Sequence, residues 1–437
     1  MMRGAIIAAP RSGSGKTVIT LGLLRALRDA SLRIAAAKAG PDYIDPTYLA
    51  AACGAPCRNL DPWAMRPATL AAQLREMARD ADFALCEGAM GLFDGAGTTG
   101  AGSTADLAAL TGWPVILVVD AEGQGASIAA LVEGFAHHRR DVRVAGVILN
   151  RVAGERHTAI LREALARVLP AVTCLGAMPR TAELALPSRH LGLVPAGERR
   201  DLDKFLGTAG ALASRHIDCR ALAALAMPLP RAKPASDGSL PALGACIAVA
   251  RDDAFVFTYR ATFESWQRAG AALSFFSPLG DEAPPLDCDA VYLPGGYPEL
   301  FAARLAANRH FLHGLRDAAA RGATIYGECG GYMVLGRTLI DAGGASHTMA
   351  GLLPLATSFA ARKLHLGYRQ VMLAGDTPLG AKGMSFRGHE FHYATIVDES
   401  GARPLFAASD ADGKALGAAG QIAGTVMGSF VHLIDRA

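Results

Sequence analysis

The sequence predicts an α/β protein of two domains, and three observations carry that reading. Short apolar runs alternate with longer amphipathic ones over residues 3–178. A glycine-rich loop ending in Lys-Thr follows the first of these runs. A proline-rich stretch then precedes a second alternation, which contains a cysteine flanked by glycines.

In the first part, Ile6–Ala9, Ile34–Lys38, Phe83–Cys86, Val115–Val119 and Val144–Leu149 are apolar enough to be strands buried on both faces of a parallel sheet. Between them, Val18–Arg28, Ala68–Arg79, Ser127–His137 and His157–Leu169 have the spacing of helices. Together they give the rhythm of a doubly wound sheet. The stretch Pro228–Pro241 contains four prolines together with Ser236, Gly238 and Ser239. It predicts a linker over 228–243, separating one domain at 1–227 from another at 244–437. After it, Cys246–Val249, Ala290–Leu293 and Thr324–Tyr326 are expected strands, and Ala261–Ala269 and Leu300–Arg321 expected helices. Beyond Gly351 the pattern shortens to strands at Leu366–Leu373, Phe391–Val397 and Gly424–His432.

Composition excludes several classes. The formal charge is only +3, and Lys and Arg are scattered rather than striped, so a nucleic-acid partner has no electrostatic footing. The longest apolar run, around Trp113–Val119, falls far short of the ~20 residues a membrane span requires. Eight cysteines in 437 residues make no disulfide framework. Cys53 and Cys57 lack the second Cys or His pair that zinc needs. The expectation is a cytoplasmic protein.

The segment Ser12-Gly13-Ser14-Gly15-Lys16-Thr17 is a phosphate loop. A strand leading through glycines into a helix points backbone N–H groups, and the positive end of the helix dipole, at an anion. Gly13, Ser14, Gly15 and Lys16 are the expected phosphate contacts, with the Thr17 hydroxyl on Mg²⁺. Pro10 stands where such loops usually have their first glycine, and Val18 rules out a dinucleotide fingerprint. Mg²⁺ on a nucleotide needs protein carboxylates, and Asp45 and Glu87 follow strands in the same half. Either is equally readable as a helix cap. Asn150 ends a strand where its amide would reach an adenine.

The segment Gly327-Glu328-Cys329-Gly330-Gly331 is the cysteine form of a nucleophile elbow. Its sulfur would sit at a helix N-terminus, which favours thiolate. Two histidines compete as its base, His432 and His392, and His432 is preferred because it closes a terminal strand. Pro294-Gly295-Gly296-Tyr297-Pro298 offers the N–H groups of Gly296 and Tyr297 as an oxyanion hole. A chain with both sites is most simply an amide-forming enzyme that uses ATP and glutamine.

Longer strings carry a resemblance over nearly the whole chain. Lys38-Ala39-Gly40-Pro41-Asp42-Tyr43-Ile44-Asp45-Pro46, the run Glu87-Gly88-Ala89-Met90-Gly91-Leu92-Phe93-Asp94-Gly95, and Leu293-Pro294-Gly295-Gly296-Tyr297-Pro298-Glu299 are similar to the cobyrinic acid a,c-diamide synthase family. The phosphate loop, Gly-Glu-Cys-Gly-Gly-Tyr-Met and the terminal Ser-Phe-Val-His agree with it. The resemblance implies a dethiobiotin-synthetase-like ATP domain and a flavodoxin-like, triad-type glutamine amidotransferase domain. It also implies amidation of the a and c carboxylates of a corrin-type polycarboxylate through an acyl phosphate. By likeness Thr17, Asp45 and Glu87 become metal ligands, Asp94 lies near the activated carboxylate, and Asp42 and Tyr43 select among ring side chains. Ammonia is expected to pass between sites by a shielded path.

There are departures. Ile434 stands where many triad glutaminases have a glutamate, leaving the role of Asp435 open, and Arg11 replaces the signature lysine of chromosome- and division-site-partitioning relatives. A nickel-sirohydrochlorin a,c-diamide synthase, and an ATP-driven switch with an inert glutaminase-like module, stand as alternatives. A homodimer is left open.

Overall fold

The computed structural model describes residues 2–185, 188, 189, 192–229 and 240–437. Most of the expected linker therefore lies outside the described residues. The chain divides into two compact units, Met1–Trp63 with Leu70–Ala235, and Ala64–Thr69 with Ser236–Ala437.

In the first unit the apolar runs become strands β1 (Arg3–Ala8), β2 (Ile34–Ala39), β3 (Arg58–Leu60), β4 (Phe83–Glu87), β5 (Val115–Asp120), β6 (Val144–Val152) and β7 (Thr173–Pro179). They form a parallel sheet in the order β3-β2-β4-β1-β5-β6-β7, with Met227–Pro228 added antiparallel to β1. β2 and β4 are buried along their whole length, as strands covered by helices on both faces must be. Helix α1 (Lys16–Asp29) leaves the loop after β1, and α2 (Asp45–Cys53) the loop after β2. β1 lies between β4 and β5, where strand order reverses, so the loops after β1, β2 and β4 meet at one edge, the usual place for a ligand in such sheets. The short strand β3, the helix Thr104–Thr111 with its Ser103/Asp106 capping box, and the helix Leu202–His216 were not among the expected elements.

In the second unit five parallel strands run in the order Ala272–Phe276, Cys246–Ala250, Ala290–Leu293, Thr324–Glu328, Val426–Ser429. This is the flavodoxin order 2-1-3-4-5. An antiparallel extension continues through Ala415–Ala423, Arg403–Ser409, His365–Leu373, Ser385–His392 and His432–Arg436. The expected strand 424–432 is two strands. Its first half joins the parallel part, and after Phe430 and Val431 the chain reappears at the far edge, beginning with His432. Buried clusters form around Phe255, Phe311 and Tyr332, and around Trp266, Tyr292 and Phe406.

Ala64–Thr69 lies within the first half of the sequence yet groups with the second unit. Its anchor is Arg66, whose backbone N–H donates to Asp435 (2.9 Å) and whose guanidinium donates to the same buried carboxylate (2.8 Å). Among the described residues no helix is long and apolar enough to cross a membrane.

Candidate functional site

Among the described residues, each unit gathers chemistry-bearing side chains around its glycine turn. In the first, Gly15 adopts φ 91° as the residue before α1, a left-handed conformation suited to glycine, and any Cβ there would strike the Asn150 amide. Asn150 Nδ2 donates to the Ser14 carbonyl (2.9 Å), so in this state its amide braces the loop. Arg151 adds a second brace, donating to the Gly13 carbonyl (2.9 Å) and to Asp120 (2.7 Å). Lys16 is buried and donates to the carbonyl of Met90 (2.6 Å), a residue held at φ 47°. Burial lowers the Lys16 pKa, while Glu87 works to raise it.

The parallel register sets Lys38 of β2 beside Glu87 of β4. Lys38 Nζ then reaches Asp45 (2.6 Å) and Glu87 (3.0 Å), and Thr17 Oγ1 donates to the same Glu87 oxygen (2.6 Å). Burial opposes the Lys38 ammonium, but Asp45 and Glu87 outweigh it and hold its pKa above the ordinary value. Burial pushes the Glu87 carboxyl up. Thr17, Asp45 and Glu87 thus do converge, around a lysine that the sequence reading passed over as the end of a strand. The other oxygen of Glu87 is buried without a hydrogen-bond partner among the described residues. An oxygen set with one uncommitted carboxylate oxygen suits a hard cation such as Mg²⁺.

Asp42 Oδ1 accepts from the N–H groups of Ile44 and Asp45 (2.8 and 2.9 Å), forming the turn that starts α2. Burial and the neighbouring Asp45 raise its pKa to about 6. Tyr43 lies in that same turn, half-buried. Asp94 is exposed in the loop after β4, and its carboxylate accepts from Gly91 (2.8 Å).

In the second unit, Cys329 sits between the strand Thr324–Glu328 and a short helix, in the sparsely populated conformation φ 48°, ψ −102°. Such strain in a non-glycine residue marks a constrained elbow. A Cβ on Gly295 would clash with the His432 ring, and that same position lies 3.2 Å from His432 Nε2 and 3.3 Å from Cys329 Cβ. Thiol and imidazole therefore crowd one glycine. His392 instead bonds Glu390 (2.9 Å) and the Ala394 carbonyl (3.1 Å).

Two expectations change, and the open role of Asp435 is narrowed. Burial first, then the charges of Glu299, Glu390 and Glu328, push the Cys329 thiol well up, with only the Gly330 N–H acting to lower it. The resting group is a thiol, not the thiolate a helix N-terminus alone would favour. Next, the Tyr297 N–H donates to the Ala254 carbonyl (3.1 Å) and is committed there. Gly296 N lies 3.0 Å from where a Cβ would stand on Gly330, the residue after Cys329. Finally, Asp435 is tied to Arg66, and the carboxylate near the base is Glu328, 3.7 Å from His432 Nδ1. Glu328 accepts from Leu433 N (3.0 Å) and Tyr292 OH (2.7 Å), so it is fixed beside His432. Nothing local in the sequence marks Glu328 as a neighbour of His432, 104 residues further on.

Fold and site define a nucleotide-binding ligase carrying a glutamine amidotransferase domain. Residues 5–194 match the CobQ/CobB/MinD/ParA nucleotide binding domain, and 246–436 the CobB/CobQ-like glutamine amidotransferase domain. The chain is 56% identical over 436 residues to the hydrogenobyrinate a,c-diamide synthase of Brucella suis biovar 1 (strain 1330), covering 99% of each. It is 53% identical over 438 residues to that of Rhizobium meliloti (strain 1021), again covering 99% of each. With that of Mesorhizobium japonicum it shares 49% over 441 residues, 100% of this chain and 99% of the relative. The chain belongs to the hydrogenobyrinate a,c-diamide synthase family.

Proposed function

We propose that this chain converts the a and c side-chain carboxylates of hydrogenobyrinic acid to amides in cobalamin biosynthesis, using ATP and glutamine. The observation that carries the reading is full-length identity to synthases of that name, without a missing domain at either site. A carboxylate resists amidation because its charge repels a nucleophile and its leaving group would be oxide. Phosphorylation by ATP makes an acyl phosphate, whose leaving group is phosphate.

In this reading Lys16 leaves the Met90 carbonyl to meet the nucleotide's phosphates. Lys38 holds positive charge where phosphoryl transfer gathers negative charge. Thr17, Asp45 and Glu87 would hold Mg²⁺, which when bound neutralises phosphate charge. Asn150 and Arg151 keep the loop in shape, and Asn150 would turn its amide to the adenine when nucleotide binds. Asp42, Tyr43 and Asp94 lie on the loops that would meet the ring's carboxylates.

Because Cys329 rests as a thiol, His432 must take its proton as the sulfur attacks the glutamine amide. Glu328 orients the imidazole. Gly296 and Gly330 N–H groups would receive the oxyanion. His432 returns the proton to the leaving ammonia, and water then hydrolyses the glutamyl thioester. With one thiol and one phosphate loop, both amides arise at one site in turn, through a monoamide.

The test is a panel of hydrogenobyrinic acid, cobyrinic acid and nickel-sirohydrochlorin, each with ATP, Mg²⁺ and glutamine, read by mass spectrometry. Hydrogenobyrinic acid should give monoamide and then diamide only when ATP is present. Turnover of nickel-sirohydrochlorin alone would reassign the substrate.

A further inference from the structure

Beside the thiol site lies a buried charged cluster with no place in the mechanism above. The strand Ser385–His392 runs between His365–Leu373 and His432–Arg436. Its register sets His389 opposite His432, and the next residue, Glu390, projects from the other face of the strand, the face it shares with His392. Glu390 takes the Arg369 Nε on one oxygen (2.6 Å) and the His392 Nε2 on the other (2.9 Å). The side chains of Arg369 and Glu390 are only 14% and 17% exposed, so this is not a solvated surface pair. Burial works to raise the Glu390 carboxyl, but His392 and Arg369 hold it down to about 2, and it stays anionic. Among the described residues Arg369 uses Nε on Glu390 and one terminal nitrogen on the Tyr368 carbonyl, leaving its second terminal nitrogen available.

The cluster shares a wall with the nucleophile. The His392 ring stacks on Phe430 at 3.9 Å and 18°, and Phe430 meets Tyr332 edge-on at 5.4 Å. Tyr332 belongs to the helix that begins directly after Cys329. Phe430 is two residues before His432.

Free glutamine carries an ammonium and a carboxylate on one carbon, a short aliphatic arm away from its amide. Selecting it therefore requires an anion and a cation side by side near the nucleophile. We propose that Glu390 receives the α-ammonium of glutamine and Arg369 its α-carboxylate, with His392 positioning Glu390, while the side-chain amide extends to Cys329. This rests on the glutaminase reading above. An ammonium on Glu390 also cancels part of the negative field at Cys329, so the substrate itself eases removal of the thiol proton.

The donor atoms of His365, Glu390 and His392 lie within 4.8 Å of one another, which raises a metal as the rival occupant. The geometry disfavours it. The two imidazoles are parallel within 6° and stacked at 4.7 Å, so their in-plane lone pairs run side by side rather than converging.

The test compares glutamine with two truncated analogues, glutaric acid monoamide (no α-amino group) and 4-aminobutanamide (no α-carboxylate), on the full chain by ammonia release. The wild-type protein should prefer glutamine to each analogue. Glu390→Gln should raise KM for glutamine roughly tenfold or more, as expected for loss of a charge-assisted bond. It should abolish the preference over the monoamide while keeping that over 4-aminobutanamide. Arg369→Met should do the reverse, and it carries the test alone should Glu390→Gln not fold. Wild-type discrimination surviving in both variants would overturn the proposal, as would stoichiometric zinc binding lost in His392→Ala. A wild-type protein that released no ammonia from glutamine would instead overturn the glutaminase reading itself.

Discussion

Both candidate sites are built as strand, tight turn and helix, yet one pairs buried cations with carboxylates and the other sets a thiol beside carboxylates. At the nucleotide end two buried lysines, Lys16 and Lys38, face a turn whose partner is to be an anion. At the thiol end burial, reinforced by the charges of Glu299, Glu390 and Glu328, raises the pKa of Cys329. In the first site the buried lysines are compensated by carboxylates, Lys38 being paired with both Asp45 and Glu87. In the second, no cation among the described residues is paired with the sulfur. One local architecture thus serves two chemistries because the neighbouring strands supply different partners.

The largest effect separates the sites outright. Cys329→Ala should lower glutamine-dependent synthesis by at least on the order of 10³-fold, as removal of a nucleophile does, while ammonium salts still support synthesis. Lys16→Ala should lower synthesis with either nitrogen source. Product assays with both donors check this, and equal loss in Cys329→Ala with both would break the division of labour.

The next effect is thermodynamic. Lys38→Met leaves Asp45 and Glu87 buried without their cation, and breaking a buried pair from one side costs about 3–5 kcal/mol. Denaturant unfolding measures it. Because the Glu87 carboxyl is already raised, acid protonates it in the variant, and the deficit should shrink as pH falls. Its synthesis should fail with both nitrogen donors. A variant as stable as the wild type would show that Lys38 does not offset those charges.

Much of this was legible in the sequence, for a physical reason. Strands buried on both faces have to be apolar, so β1, β2, β4, β5 and β6 stood out as runs, and the glycine turns marked both sites. What escaped depends on long-range register. Lys38 is an ordinary strand residue until β2 pairs with β4. Glu328 gains meaning only when Leu433 and His432 return beside it. The strand break after Ser429, which sends one expected strand to two places in a sheet, has no local signature. Neither does the grouping of Ala64–Thr69 with the second unit, where Arg66 pairs with Asp435.

A smaller effect sharpens the contrast at the thiol. A free cysteine titrates near ~8.5. With Cys329 pushed well above that, its alkylation by iodoacetamide should be slower than that of free cysteine at pH 8 and still climbing at pH 10. Mass mapping of the labelled peptide reads the rate. Adding glutamine analogues that keep the α-ammonium should speed labelling if they leave the sulfur accessible. A plateau near neutral pH would mean a preformed thiolate and remove the difference between the two sites.

The smallest effect concerns Asp42. Its Oδ1 accepts two backbone N–H groups at the start of α2, and Asp45 is delivered into the lysine cluster by that same turn. An asparagine keeps the accepting oxygen but not the charge. If Asp42 serves as a turn, Asp42→Asn should leave synthesis within a few-fold and the order of a and c amidation intact. Asp42→Ala should then cost about 0.5–2 kcal/mol of stability, the usual range for a lost cap. If its charge instead meets the ring's side chains, Asn would alter the ratio of the two monoamides more than it alters stability. Chromatographic separation of the monoamides early in the time course distinguishes these outcomes. The two backbone bonds already accepted by the one oxygen favour the first, so the expected result is an unchanged isomer ratio in Asp42→Asn.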